Sequence, residues 1–330
     1  MRKTLLITGA TGKQGTALIN ALSRAGPKES STLSDDEDGY HIYALTRTPP
    51  SAKSRALARI RNVTVIEADL DHPETVRRVF EREGGVWGVF CVLAYPGLGM
   101  MADLALEYGV HTFVYSSSAR CGQKYEKDLT LSSKAKRNIE DYCIELGERN
   151  PGLNWTILKP AFFMENLDYF LGALAFSIFK QGLDEKTEVP LIGADDIGIV
   201  AAGIFANPER YKHKILTLVG EYATLSQIES SYKRAMNRPI PSVPALFAWL
   251  IIRLNSNTQD LLQHQELFHS SRRAGDYPEL DHEVKRASDI FPMRSYHDYL
   301  VQRTPGAASE PADRGDWNGV SIGKLLLGRL

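Results

Sequence analysis

The sequence predicts an α/β protein: a doubly wound parallel sheet with a smaller C-terminal portion. Three observations carry this. β-rich runs alternate with segments of helical period through the first 160 residues, the first run leads directly into a glycine-rich turn, and after Pro160 the pattern changes to aromatic-rich helical text.

Strands are predicted at 4–8, 41–46, 63–67, 88–93, 112–116 and 155–158, with crossover helices at 14–24, 73–83, 100–108 and 133–149. Residues 27–39, PKESSTLSDDEDG, hold four consecutive acidic residues and a single large apolar one, Leu33. This composition predicts a solvated surface insertion between the first helix and the second strand. Residues 161–179, AFFMENLDYFLGALAFSIF, read as a helix too apolar for a one-sided stripe, so another element is expected to cover it. Asp195 and Asp196 mark a helix start, with an apolar face through Val200, Ala201, Ile204 and Phe205. The resulting division is a nucleotide-binding domain over 1–160, to which 189–220 return, and a substrate or partner portion over 161–188 and 221–300. Helices at 226–236, 244–254 and 259–270 would wall a pocket there, and 301–330 form a tail expected to be partly disordered.

Composition narrows the function classes. A net charge of −1 supplies no field to recruit polyanions, so nucleic acid is not an expected partner. The apolar stretches at 169–179 and 243–254 fall short of the ~20 residues that span a bilayer, and no signal peptide precedes the first strand, so a cytoplasmic protein is expected. Cys91, Cys121 and Cys143 lack metal or disulfide spacing and read as free thiols. His264 and His269 flank Glu266 at a spacing of five, which puts them on different helical faces, so no metal site is expected. The arginines at 234, 238, 272 and 273 form short charge runs that read as solvated faces.

The residues carrying chemistry begin at the first strand's end, with Gly9, Ala10, Thr11, Gly12, Lys13, Gln14 and Gly15. A strand, then G-x-x-G-x-x-G, then a helix lets backbone N–H groups approach a pyrophosphate at a helix N-terminus, while the third glycine lets helix and strand pack closely. A Walker A loop is excluded because no Ser or Thr follows Lys13. The second strand ends in Arg47, where NAD-binding proteins usually carry an acidic residue. A guanidinium there suits a 2′-phosphate, with Lys13 adding a second charge, so the expected cofactor is NADP(H).

In order, TGATGKQG, ALTR, EADLDHPETV, FVYSSS, SSKAKRNIEDY, LKPAFFMEN and DDIGIVAAGIF resemble the landmarks of NmrA-like proteins, atypical members of the extended short-chain dehydrogenase/reductase superfamily. The resemblance covers roughly residues 3–300 and implies a Rossmann-like fold. It further implies that Asp69 and Leu70 lie beside the adenine, Ala94, Tyr95 and Pro96 near the cofactor ribose, and Pro160, Phe162 and Phe163 near the nicotinamide. Lys134 would be the family's lysine on the helix after the fifth strand, holding the ribose and supplying a proton.

The wider superfamily pairs a tyrosine with a lysine four residues later, and here that tyrosine position is Thr130, a far poorer acid. Tyr125 and Ser117 are the remaining hydroxyl candidates beside Lys134. The resemblance implies an NADPH-dependent oxidoreductase reducing a hydrophobic small molecule, a carbonyl, an imine or iminium, or an activated alkene, as in specialised metabolism. It leaves two alternatives: a catalytically silent NADP(H) sensor that regulates a protein partner, and a cofactor-assisted non-redox cyclisation.

Overall fold

The computed structural model describes residues 2–24, 39–82, 84–92, 98–128 and 131–302. Most of the acidic insertion, the segment holding Ala94, Tyr95 and Pro96, Thr130 and the tail beyond Gln302 lie outside the described residues.

The first half alternates as its sequence predicts, with one short helix, α2, that was not expected: β1 (Lys3–Ile7), α1 (Lys13–Arg24), β2 (Tyr40–Thr46), α2 (Ala52–Leu57), β3 (Val63–Glu67), α3 (Pro73–Phe80), β4 (Gly88–Val92), α4 (Leu98–Glu107), β5 (Thr112–Ser116), α5 (Leu131–Arg149) and β6 (Trp155–Pro160). Then come β7 (Phe162–Phe163), α6 (Tyr169–Gly182), β8 (Val189–Ile192), α7 (Ala194–Ala206), α8 (Pro208–Tyr211), β9 (Lys214–Leu218) and β10 (Glu221–Ala223). Five helices follow: α9 (Leu225–Met236), α10 (Ala245–Leu254), α11 (Ser256–Ala274), α12 (Leu280–Ser288) and α13 (Tyr296–Gln302).

The main sheet has seven strands in the order β3-β2-β1-β4-β5-β6-β9, every pair parallel. Strand order reverses between β1 and β4, and in open α/β sheets that crevice, at the carboxyl ends of the strands, is where ligands bind. Strands such as β5, buried at every position, are covered on both faces. One face packs with Leu18 of α1 and Val200, Ala201 and Ile204 of α7, the other with Val76 and Val79 of α3, Met101 of α4 and Ile139 and Cys143 of α5. A Cβ on Gly198 would stand 2.4 Å from the Ala17 carbonyl carbon, so only glycine lets α7 lie this close to α1.

A second small sheet, β10-β8-β7, and helices α6, α9, α10 and α13 enclose a separate core around Phe176, Phe179, Ile228, Ile251 and Tyr296. The expected single helix over 161–179 is divided. Phe162 and Phe163 pair with Leu191 and Ile192 of β8, a short 3₁₀ turn spans Met164–Leu167, and α6 begins only at Tyr169, whose φ is +56°. The apolar excess on 161–179 has two separate covers, the β8 pairing and the core under α6, and so does not mark one buried helix.

Candidate functional site

The glycine turn is built against the crevice. Thr8 N donates to the Phe90 carbonyl at 3.0 Å and its Oγ1 accepts from Val92 N at 3.0 Å, which fixes the end of β1 beside β4. Gly9 has φ +58°, a conformation that favours glycine, and its carbonyl accepts from Gly12 N at 2.9 Å. A Cβ on Gly15 would lie 2.4 Å from that carbonyl oxygen and 2.7 Å from the Ala10 Cα, so the third glycine is a packing requirement. A Cβ on Gly12 would meet the same oxygen at 3.1 Å, a tight but less severe contact. Gly9 and Gly12 are exposed and Thr11 half-buried, so the turn presents an open mouth of backbone at the N-terminus of α1.

Two side chains lace this mouth to distant segments. Gln14 Oε1 accepts from Ser116 Oγ at 2.6 Å, at the end of β5, and Lys13 Nζ donates to Asn166 Oδ1 at 3.2 Å. Asn166 follows Glu165, whose Oε1 accepts from Ala194 N at the start of α7 at 2.8 Å while the buried Oε2 has no hydrogen-bond partner among the described residues. Burial pushes the Glu165 carboxyl up to about 7.

Arg47 is exposed just past β2, followed by Lys53 and Arg55 on α2, two further cations that sequence reading did not single out. Asp69 follows β3, its backbone N donating to Thr75 Oγ1 and its Oδ1 accepting from Asp71 N, and Leu70 beside it is half-buried. Pro160 is buried at the end of β6. Phe162 and Phe163 are half-buried, Phe162 packing on Phe179 with ring centroids 5.1 Å apart.

The three acid–base candidates sit differently from what sequence reading expects. Lys134 is exposed. At 100° per residue it points roughly 200° away from Lys136, whose Nζ donates to the Ser117 carbonyl at 3.4 Å, so Lys136 is the lysine facing the end of β5. The signal was available: 136, 139, 140 and 143 follow the i, i+3, i+4, i+7 spacing of one face, and Ile139, Glu140 and Cys143 are buried. Ser117 is itself buried and its hydroxyl donates to Glu140 Oε1, so its proton is held by a carboxylate and not presented to the crevice. Tyr125 donates to Asp276 Oδ2 at 2.8 Å, an acceptor that raises its pKa and ties its loop to the C-terminal portion.

Behind Ser117 lies a buried charged cluster. Glu140 Oε2 pairs with Arg120 and stands 3.7 Å from Lys159 Nζ. Lys159 donates to Tyr277 OH at 3.0 Å, and that hydroxyl donates to Glu283 Oε1 at 2.7 Å. Thr217 of β9 donates to Glu283 Oε2 at 2.5 Å. The cysteines take no part: burial pushes the thiols of Cys91, Cys121 and Cys143 up to about 12, which keeps them protonated and unreactive at neutral pH.

Known proteins resemble the chain over most of its length. An NmrA-like family domain-containing oxidoreductase, ptmS, from Penicillium ochrochloron is 23% identical over 285 residues, 78% of this chain and 80% of that protein. A second, FrzB, from a Cladobotryum species is 25% identical over 277 residues, covering 74% and 77%. Among solved structures, the negative transcriptional regulator NmrA in complex with NADP superposes with a TM-score of 0.65 at 18% identity, covering 97% of this chain and 98% of that one. An NADPH-dependent quinone oxidoreductase from Escherichia coli gives 0.62 at 19% identity, covering 90% and 98%. The model of the NmrA-like family matches residues 1–290, and the chain belongs to that family.

Proposed function

We propose that the chain binds NADP(H) in the β1/β4 crevice and acts as an oxidoreductase on a hydrophobic small molecule: a carbonyl, an imine or iminium, or an activated alkene. The observation that carries this reading is the glycine cradle, with Gly15 sealed against Gly9 and Gly9 and Gly12 left open at a helix N-terminus on the strand-order reversal. Gly9, Thr11, Gly12, Lys13 and Gln14 would hold the pyrophosphate, Arg47 the 2′-phosphate, Asp69 and Leu70 the adenine end, and Pro160, Phe162 and Phe163 the nicotinamide end. Ala94, Tyr95 and Pro96 keep their expected place near the ribose as part of the proposal. The bound cofactor supplies or accepts hydride. Lys136, in place of Lys134, supplies positive charge beside the ribose and the developing anion. The relatives named oxidoreductases and the solved neighbours holding NADP or NADPH support this reading.

A second reading, an NADP(H) sensor without turnover, is favoured by a specific observation. The superfamily's tyrosine position is Thr130, and the hydroxyl proton of Ser117 is committed to Glu140. The same test separates both readings. Purified protein with NADPH is offered quinones, enones and cyclic iminium compounds while absorbance at the nicotinamide band is followed. Consumption of NADPH supports the enzyme; tight binding with no consumption across the panel supports the sensor; absence of binding refutes both.

A further inference from the structure

The charges of the cluster behind Ser117 do not cancel. Two carboxylates, Glu140 and Glu283, face three cations, Arg120, Lys159 and Lys136, leaving one positive charge in excess. Arg120 and Lys159 each have a carboxylate within ion-pair distance. Among the described residues Lys136 has none, and its ammonium rests on the Ser117 carbonyl. The unbalanced charge therefore rests on the carbonyl of Ser117, and Ser117 follows Ser116, whose hydroxyl holds Gln14 of the glycine turn.

Glu140 links these parts. Its side chain is 1% exposed, and it stands one helical turn after Lys136 on the same face of α5. One oxygen takes the Ser117 hydroxyl proton and the other pairs with Arg120, so a single carboxylate holds both ends of the turn 117–120 that leaves β5. We propose that Glu140 is a positioning residue: it fixes the Ser117 turn and offsets the cost of keeping Lys136 charged, so that the Lys136 ammonium is presented to the cofactor. This rests on the reading that Lys136 faces bound NADP(H).

The environment of Lys136 is in accord. Burial lowers its proton affinity and Glu140 raises it, and His264 on α11 is the other titratable group that interacts with it, while Arg120 and Lys159 meet the far oxygen of Glu140. Without Glu140 the burial remains and the balance tips toward a neutral amine.

The test uses the full chain labelled with ¹³C at lysine Cε, the Lys136 signal assigned by its loss in Lys136→Met, and NADPH affinity measured by fluorescence in parallel. In the ligand-free protein, Glu140→Gln should move the Lys136 titration midpoint down by at least about half a pH unit. NADPH affinity at pH 8 should fall by roughly two- to threefold, less than the loss in Lys136→Met. Glu140→Asp, which keeps the charge but withdraws it by one methylene, should fall between wild type and Glu140→Gln, and it carries the test if the glutamine variant does not fold. A Lys136 midpoint unmoved in the folded variants overturns the positioning role. If the midpoint moves but Lys136→Met binds NADPH as wild type does, the placement of Lys136 at the cofactor is refuted, and the role of Glu140 with it.

Discussion

A methyl group on Gly15 would stand 2.4 Å from the carbonyl oxygen of Gly9, the same oxygen that accepts the Gly12 amide. The first and third glycines of the turn are therefore in backbone contact, whereas a Cβ on the second would meet that oxygen at 3.1 Å, a contact a small shift relieves. Gly15→Ala should destabilise the protein by about 1–3 kcal/mol through overpacking, read from the urea midpoint. Gly12→Val should stay folded yet lose NADPH binding, because its side chain would enter the open mouth. A folded Gly12→Val variant with wild-type affinity contradicts the assignment of the turn.

Arg47 is exposed, so removing it should leave stability unchanged. If it pairs with the 2′-phosphate, Arg47→Ala costs about 1.5–3 kcal/mol of NADP affinity, on the order of ten- to a hundredfold, and leaves NAD nearly untouched. Calorimetry with both dinucleotides decides, and equal losses would remove the role. Lys53 and Arg55 on the adjoining helix are the controls for a merely general electrostatic effect.

Lys134 and Lys136 lie on opposite faces of α5 and should separate cleanly in function. Lys134→Met should bind NADPH within about twofold of wild type, whereas Lys136→Met should lose roughly tenfold or more in affinity and, on any substrate that is turned over, about a hundredfold in rate. The reverse pattern would restore the lysine that family resemblance first suggests.

Glu165 supplies a pH test. Its pKa in the folded chain is raised to about 7, above the value near 4.3 expected when unfolded, so the folded state binds its proton more tightly. The associated stability is fully present below about pH 4 and is lost as pH rises toward about 7. Glu165→Gln can keep the acceptor for Ala194 N and cannot ionise. Relative to wild type it should therefore gain on the order of 1–3 kcal/mol between pH 5 and pH 8 in urea titrations. A difference independent of pH would show that the carboxyl is not held neutral.

The main sheet was legible because its first six strands are short β-rich runs, and the first, third, fourth and fifth lead into segments of helical period, a strictly local pattern; α2 after β2 is too short to show that period and was not read. β9, β7, β8 and β10 were not read as strands, since Phe162 and Phe163 become strand only by meeting Leu191 and Ile192. The glycine turn was legible for the same local reason, with strand, glycines and helix contiguous. The lysine was not: which side chain of α5 faces β5 depends on helical phase, and the resemblance drew the eye to Lys134. The buried run Ile139, Glu140 and Cys143 sets that phase, and a charged residue such as Glu140 does not read as a core position until its partners Ser117 and Arg120 are seen.

The parallel pairing of Thr156 with Lys214 has a consequence for synthesis. The edge of β6 is complete when Pro160 is made, yet the strand that covers it starts at Lys214. At about 5–20 residues per second the ribosome needs on the order of three to ten seconds to supply it. Through that interval a fully buried strand, Trp155–Pro160, has an unpaired side open to other chains. α1 likewise waits for α7. The nascent chain is thus most prone to aggregate after its nucleotide-binding half has been translated, and a fragment ending at residue 160 should be insoluble when produced alone.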